Sequence, residues 1–484
     1  MTTPKKLWKD FKYFPHQLSG IQWMLDKEIN GTVVPPIRHL PSTTIYGGFQ
    51  CDEMGLGKTI QMASVIVNHL QPMTLLFAPL AMIDTWTTVL QRSGCKVYHI
   101  IHKKWVAKSS SYTLPLRFIG NKNRPVVYIT NYEKVCSSYH LFLSHKWNRI
   151  ILDEAHKIRN GKGEISKNIV NIEAKLRWAI TGTPIVNSLK DIVTLMAFLG
   201  VSHYPKFGWV PDYLTVLSNI LLHRSMESLR DVLQDAPPYP IVEEMILPFS
   251  TQKEEDFYHG VQGATKELEL LYQHESLTQA QLFTFIIRLR QISVHPQIYI
   301  SAKQRQGNYE RDDWKDSSTK LDAIHTIIRK DEERIHKYIV FCQFHEEMSL
   351  IRDSLIQCNL VMKENVLMYH GGLTQGQRAE VLQKSKESTE RTVMLIQLHA
   401  GGVGLNLQEY DRMIFVSPWW TSAMMDQAMA RAVRMGQTKV VHVYHLKLNV
   451  EKYKSYDIDR WISSTAEQKR QLLQKIFRLC SVQI

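Results

Sequence analysis

Residues 51–59 read "CDEMGLGKT", one position away from a phosphate-binding loop. Such a loop runs Gly, four residues, then Gly-Lys-Ser/Thr. Its backbone N–H groups cradle phosphate, the Lys supplies a point charge, and the hydroxyl serves magnesium. Gly57, Lys58 and Thr59 close the pattern, Gly55 keeps the loop permissive, and Asp52 stands where the first Gly belongs. The following "KTIQMASVIVNHL" has helical periodicity and no breaker before Pro72, which supplies the helix that such a loop opens. Further along, "RIILDEAHKI" sets Asp153 and Glu154 at the end of an apolar run, where a buried strand delivers side chains to the ligand edge of a parallel sheet. An acid there can hold hydrated magnesium, and its neighbour can polarise an attacking water. Alone, the first stretch could be a Gly-rich turn and the second a charged loop. In this order and context they make a nucleotide site.

Around these motifs, short β-branched runs alternate with longer amphipathic stretches in two regions. The first holds "TLLFAP" (74–79), "PVVYIT" (125–130), "RIILDE" (149–154) and "RWAITGT" (177–183). The second holds "YIVFCQF" (338–344), "VLMYHGG" (366–372), "TVMLIQ" (392–397), "RMIFVSP" (412–418) and "VVHVYHL" (440–446). Continuous apolar runs of this length are strands buried on both faces, hence parallel sheets covered by helices, and the fold class is α/β. Residues 250–295 read as helices opened by Ser250 and Thr251, 301–320, with no Ile, Leu, Val, Met or Phe, as an exposed loop, and "DAPPYP" (235–240) as a break. The expected division is a first lobe over 1–235, a helical insertion and linker over 236–320, and a second lobe with a C-terminal helix over 321–484.

The 484 residues carry a formal charge of +13, which suits a polyanionic partner such as nucleic acid. Six cysteines show no Cys-x-x-Cys spacing, so zinc ribbons and redox motifs are excluded, and reduced thiols imply an intracellular protein. No run approaches the length of a membrane span. "KKLWKDFKYF" (5–14) is read as packing on the first lobe rather than touching DNA.

Together the motifs resemble the Swi/Snf-type DNA-dependent ATPases, translocating members of helicase superfamily two, from about Phe14 to about Leu448. In that family the loop commonly reads D-E-M-G-L-G-K-T, so Asp52 is the expected residue. The resemblance implies two RecA-like parallel-sheet lobes with a helical insertion, ATP and magnesium as cofactors, and double-stranded DNA as partner. "FPHQLSGIQWM" resembles the base-recognition segment, making Gln17 the adenine contact, with Asp52, Gly55, Gly57, Lys58, Thr59 and Gln437 in the nucleotide set. Thr59 and Asp153 are implied to hold magnesium, Glu154 to orient water, and Thr181 and Thr183 of "TGTPIVN" to couple nucleotide state to movement. "DQAMARAVRMGQ" (426–437) resembles the arginine-finger helix, with Arg431 and Arg434 on one face. DNA contacts are implied at Pro79 of "FAPL", Asn131 and Tyr132 of "ITNYE", Gln343 of "VFCQF", Gly401, Gly402 and Asn406 of "HAGGVGLNLQ", and Trp419 of "SPWWTS". "LHRSMESL" (222–229) and "RLRQISVHPQ" (288–297) match further family segments. Departures fall at Val433, Ser293, Val294, His399 and around the tryptophans; none removes a catalytic group, so altered affinity or coupling is expected. The activity implied is ATP-driven translocation on duplex DNA that remodels or displaces bound proteins. A strand-separating helicase and a DNA-binding scaffold with a vestigial ATPase are the alternatives.

Overall fold

Successive side chains of a strand point to opposite faces of its sheet, and each apolar run of this chain feeds two cores. The computed structural model describes residues 3–34, 42–110, 112, 124–201, 216–230, 233, 236–273, 279–307, 309–330, 335–398, 405–451 and 457–480. They form two units, Met1–Ala236 with Lys469–Ile484, and Pro237–Gln468.

The first unit's strands are β1 (Thr32–Val34), β2 (Thr43–Gln50), β3 (Thr74–Phe77), β4 (Lys96–Ile101), β5 (Lys104–Ala107), β6 (Val126–Thr130), β7 (Arg149–Asp153), β8 (Leu176–Ile180) and β9 (Leu221–Leu222). Their order is β1-β2-β8-β7-β3-β6-β4-β5, with β9 on β2. All pairings are parallel except β1 with β2 and β4 with β5. Leu75, Phe77, Ile150 and Leu152 enter one core; Leu76, Ile151, Trp178 and Ile180 enter the other. The amino-terminal aromatics do pack: Leu7 is buried, and Trp8, Phe11 and Tyr13 lie against the second of these cores. Tyr13 Oη donates to Ser64 Oγ at 2.8 Å.

The second unit's strands are β10 (Ile241–Leu247), β11 (Lys337–Cys342), β12 (Val366–Tyr369), β13 (Thr392–Gln397), β14 (Arg412–Phe415) and β15 (His442–Leu448). They run β10-β15-β14-β11-β13-β12, all parallel. Val340 and Leu395 point to one core, Ile339, Phe341 and Ile396 to the other. Both units thus have the RecA-like parallel-sheet architecture.

Two boundaries and one segment differ from the sequence reading. Residues 237–320 belong to the second unit, since β10 is the edge strand of its sheet. The C-terminal helix Ile458–Cys480 is divided, and residues 469–484 belong to the first unit, because Ile476 and Phe477 join that unit's core. The stretch 301–320 is not simply an exposed loop. The helix Pro296–Gln304 runs into it, Trp314 stacks on Phe257 with centroids 5.7 Å apart, and Ser318, Thr319 and Lys320 are buried. Aromatic and polar side chains do there what aliphatics do elsewhere.

Candidate active site

β2 delivers the chain to the loop at Gln50, and the helix Lys58–Asn68 leaves it. Gly55 and Gly57 have φ of +90° and +79°, a region that L side chains resist. A Cβ on Gly57 would also collide with the Gln17 side-chain amide. Lys58 Nζ donates to the loop's own carbonyls, Asp52 O at 2.8 Å and Glu53 O at 3.3 Å, and Gly182 lies beside it. Thr59 is half-buried in the first turn of the helix.

Asp52 has a different job from the one assigned to it. Its carboxylate is fully buried and accepts two bonds from Arg224, Nε to Oδ1 at 3.0 Å and Nη2 to Oδ2 at 2.5 Å. Gln61 Nε2 adds a third at 3.0 Å. Arg224 also donates to His16 O, to Ser19 Oγ at 3.0 Å and to Gln61 Oε1 at 3.0 Å. The parallel pairing continues beyond β9, with Cys51 N donating to Leu222 O and Glu53 N to Arg224 O. Asp52 is therefore an internal anchor, its oxygens spent on protein partners, and no nucleotide ligand. Gln17 sits over Gly57, but its Oε1 already accepts from Phe14 N at 3.1 Å. Only its amide N–H groups face the loop.

β7 ends in Asp153, and β8, between β2 and β7, ends one residue before Thr181. Thr181 N donates to Gln50 O at 3.1 Å, and Thr183 N to Thr181 Oγ1 at 3.1 Å. Asp153 Oδ2 accepts from the Trp86 indole at 2.7 Å, Oδ1 from Glu154 N at 3.1 Å, and its carbonyl from Tyr132 Oη at 2.6 Å. Burial first, then the charge of Glu154, push the Asp153 carboxyl up to about 7, against the pull of Trp86 and Lys58. Glu154 adopts φ +53°, ψ +53°, a left-handed conformation that costs a non-glycine residue roughly 1–3 kcal/mol and that clusters at functional sites. His156 Nδ1 lies 3.4 Å from Glu154 Oε2 and 3.2 Å from Thr181 Oγ1; burial lowers its pKa to about 4. A buried carboxylate whose ionisation is disfavoured by burial and by a neighbouring acid is a donor that a divalent cation relieves, so Asp153 with the Thr59 hydroxyl fits magnesium.

In the second unit the finger helix is shorter than expected. It spans Ser422–Met429, and Arg431 and Arg434 lie in the turns beyond it. Competing bonds end it: the Arg431 carbonyl accepts from Leu407 N, and Gln437 Nε2 donates to Ala432 O at 3.2 Å, Gln408 O at 2.9 Å and Tyr410 O at 3.4 Å. Gln437 is buried in these bonds and is structural, not part of the nucleotide set. Burial lowers the pKa of Arg434, and its guanidinium has no ion-pair partner among the described residues.

The DNA candidates divide. Asn406 is exposed and Gln343 is partly so, its amide donating to Pro418 O at 3.1 Å. Asn131 is largely buried, with Oδ1 unpartnered and Nδ2 on Glu133. Pro79 is buried at the start of a short helical turn, Tyr132 is buried against Asp153, and Trp419 is buried with its indole on Met424 Sδ at 2.9 Å. These three face inward and cannot serve as surface contacts. Gly401, Gly402 and His399 lie outside the described residues. Arg224, Gln61, Trp86 and His156 were not assigned from sequence. Arg224 sits in the flagged "LHRSMESL", but nothing local announces a partner more than 170 positions away.

The SNF2-related domain matches residues 16–298 and the helicase conserved C-terminal domain residues 319–436. The chain is 26% identical over 424 residues to the CHD3-type chromatin-remodeling factor CHR7 of Arabidopsis thaliana, covering 82% of this chain and 33% of that protein. It is 24% identical to the probable global transactivator of Orgyia pseudotsugata multicapsid polyhedrosis virus, covering 96% and 91%. The solved Sulfolobus solfataricus SWI2/SNF2 ATPase core in complex with dsDNA aligns over the whole of both chains at 21% identity, with a TM-score of 0.40. The chain thus spans about a third of the plant relative and most of the viral one. With more than half its length matched by the SNF2-related domain, and a nucleotide loop and acid pair built as described, the chain belongs to the SNF2-related family of helicase-type ATPases.

Proposed function

We propose that this chain hydrolyses ATP with magnesium to drive translocation along double-stranded DNA, remodelling or displacing proteins bound there. The observation that carries the reading is the intact hydrolytic set in the first unit: Lys58 beside the loop, Asp153 and Glu154 at the end of β7, and Thr181 at the end of β8. Asp153 and Thr59 would hold magnesium, which shields phosphate charge and orients the terminal phosphoryl group. Lys58 exchanges its loop carbonyls for phosphate oxygens, since an ionised acceptor makes the stronger hydrogen bond. Glu154, fixed by its left-handed backbone, orients the attacking water. Arg431 and Arg434 stabilise the charge that develops on the transferred group, and the half-buried guanidinium of Arg434 suits that task because burial strengthens its pull on an anion.

The net charge of +13 supports a DNA partner held by its backbone with little sequence preference, and relatives named as remodelling factors favour protein displacement as the output. Phosphate release measured alone and with duplex DNA, single-stranded DNA or RNA, with Lys58→Ala as blank, tests the reading. Stimulation by duplex DNA without separation of a tailed duplex is expected. Strand separation would replace it with a helicase, and DNA binding without phosphate release would replace it with a scaffold.

A further inference from the structure

From the end of β9 onward, consecutive residues hold consecutive residues of the phosphate loop. Leu222 O accepts from Cys51 N at 2.7 Å, the Arg224 guanidinium holds the Asp52 carboxylate, and Arg224 O accepts from Glu53 N at 2.9 Å. Between Leu222 and Arg224 stands His223, whose Nδ1 lies 2.8 Å from Cys51 O. A carbonyl only accepts, so Nδ1 carries the proton and donates.

His223 differs from its neighbours in what fixes it. Its imidazole lies flat on the Phe477 ring, with centroids 3.5 Å apart and planes 6° apart. Phe477 is on the helix Ile458–Cys480. Leu472, Leu473, Ile476 and Phe477 follow the i, i+1, i+4, i+5 spacing of one helix face, and all four meet the core that Cys51 itself enters. Lys469 Nζ adds a bond to Asn187 Oδ1 at 3.1 Å. Burial lowers the pKa of His223, although the bond to Cys51 O and the charges of Asp52 and Glu53 pull the other way, so the donor is a neutral imidazole at pH 7.

We infer that His223 and Phe477 are positioning residues for the phosphate loop, which makes segment 469–480 of the C-terminal helix a working part of the nucleotide site. The inference deepens the translocase reading and rests on the part of it that gives residues 51–59 to ATP. The Cys51 carbonyl and the Asp52 N–H lie in one rigid peptide plane, so fixing the first fixes the second. Lys58 rests on the carbonyls of Asp52 and Glu53, the next two residues. The stack in turn sets the plane of the imidazole and with it the direction of its N–H. Removing either ring contact or donor therefore frees the root of the loop.

The test uses the full chain, and binding of a fluorescent ADP analogue with magnesium is titrated. A melting curve confirms that each variant is folded at the assay temperature. His223→Asn sets an amide N–H where Nδ1–H stands, whereas His223→Leu has a side chain of similar size and donates nothing. His223→Leu should weaken binding about 3- to 10-fold, the worth of one hydrogen bond, while His223→Asn stays within about twofold of the unsubstituted chain. Phe477→Leu keeps an apolar side chain in the core and should weaken binding about as much as His223→Leu. The two leucines together should weaken it no further, because both substitutions break one link. Wild-type affinity in His223→Leu overturns the inference. So does a loss in His223→Asn equal to that in His223→Leu, which would reduce the ring to packing, or a double variant whose loss is the product of the single losses. If the unsubstituted chain binds the analogue no better than Lys58→Ala, the nucleotide reading falls and takes the inference with it.

Discussion

Replacing Asp52 by glycine would turn this loop into the commoner phosphate-loop sequence, and it should damage the protein. Asp52 is fully buried, and its carboxylate is the anion paired with Arg224, whose side chain is 8% exposed. Glycine leaves Arg224 with three neutral acceptors, His16 O, Ser19 Oγ and Gln61 Oε1. Removing one partner of a buried pair costs about 3–5 kcal/mol, chiefly through the stranded charge. Glycine's extra backbone freedom adds roughly 0.5–1 kcal/mol. For a unit of this size each kcal/mol lowers Tm by about 2–4 °C, so the pair alone predicts a fall of roughly 6–20 °C. Asp52→Gly combined with Arg224→Met removes both charges and keeps an apolar stem, and should recover at least about half the loss. Differential scanning fluorimetry of the two single variants and the double variant reads this directly, with affinity for a fluorescent nucleotide as a second readout. Asp52→Gly melting within about 2 °C of wild type, or a double variant melting no higher than Asp52→Gly, would refute the anchor argument.

Glu154→Gln should keep nucleotide affinity and lose turnover by about 10²–10⁴-fold, as measured by phosphate release against fluorescent-nucleotide titration; turnover at the wild-type rate would remove Glu154 from its role. Arg434→Ala should slow turnover about 10³–10⁵-fold with little change in ATP affinity, the signature of charge stabilised only in the transition state. Glu347 predicts a pH effect. Burial pushes its carboxyl up to about 7, although Gln343 N and Phe344 N donate to it and Lys320 and Arg290 lie near. Below about pH 4.5 both folded and unfolded chains hold the proton; between 4.5 and 7 only the folded chain does. Its contribution is therefore complete at low pH and lost as pH rises through 7, a swing of about 3 kcal/mol. Glu347→Gln should melt above wild type at pH 8 but not at pH 5, and equal differences at both would sink the assignment.

Most strands of both sheets were legible because a strand buried on two faces is apolar at most positions, as in "TLLF" (74–77) and "TVMLIQ" (392–397). The strands overlooked carry other signals. β2 contains Gly47 and Gly48 at positive φ, where a Cβ would strike the backbone of Arg177 and Ile220, so close packing there erased the β-branched signature. β10 is an edge strand with Ile241 and Val242 exposed beside Glu243 and Glu244. At the site, positions set by the backbone next to the motif were readable: Gly57 and Lys58 in the loop and first helical turn, Asp153 and Glu154 at the end of β7. Roles set by distant partners were not. Tyr132 and Trp419 looked like surface aromatics on motif loops, yet the sheet edge turns both inward.

The buried pair at Asp52 also explains how a segment as short as β9 finds its place. Leu221 and Leu222 alone would pair with β2 in more than one register, because a two-residue strand of identical apolar side chains specifies register weakly. The observed register satisfies Cys51 N with Leu222 O, Glu53 N with Arg224 O, and both carboxylate oxygens with one guanidinium. A slip of one residue would bury Arg224 without an anion and present the wrong face of every side chain. The pair need add little net stability, since desolvating two charges offsets most of their attraction. What it adds is a steep penalty on every other register, and that penalty holds the carbonyls of residues 52 and 53 where Lys58 rests. The double variant should therefore come close to wild type in melting temperature while still binding nucleotide less tightly. Stability and loop geometry separate in that comparison, and a double variant restored in both would show that the loop holds its shape without the anchor.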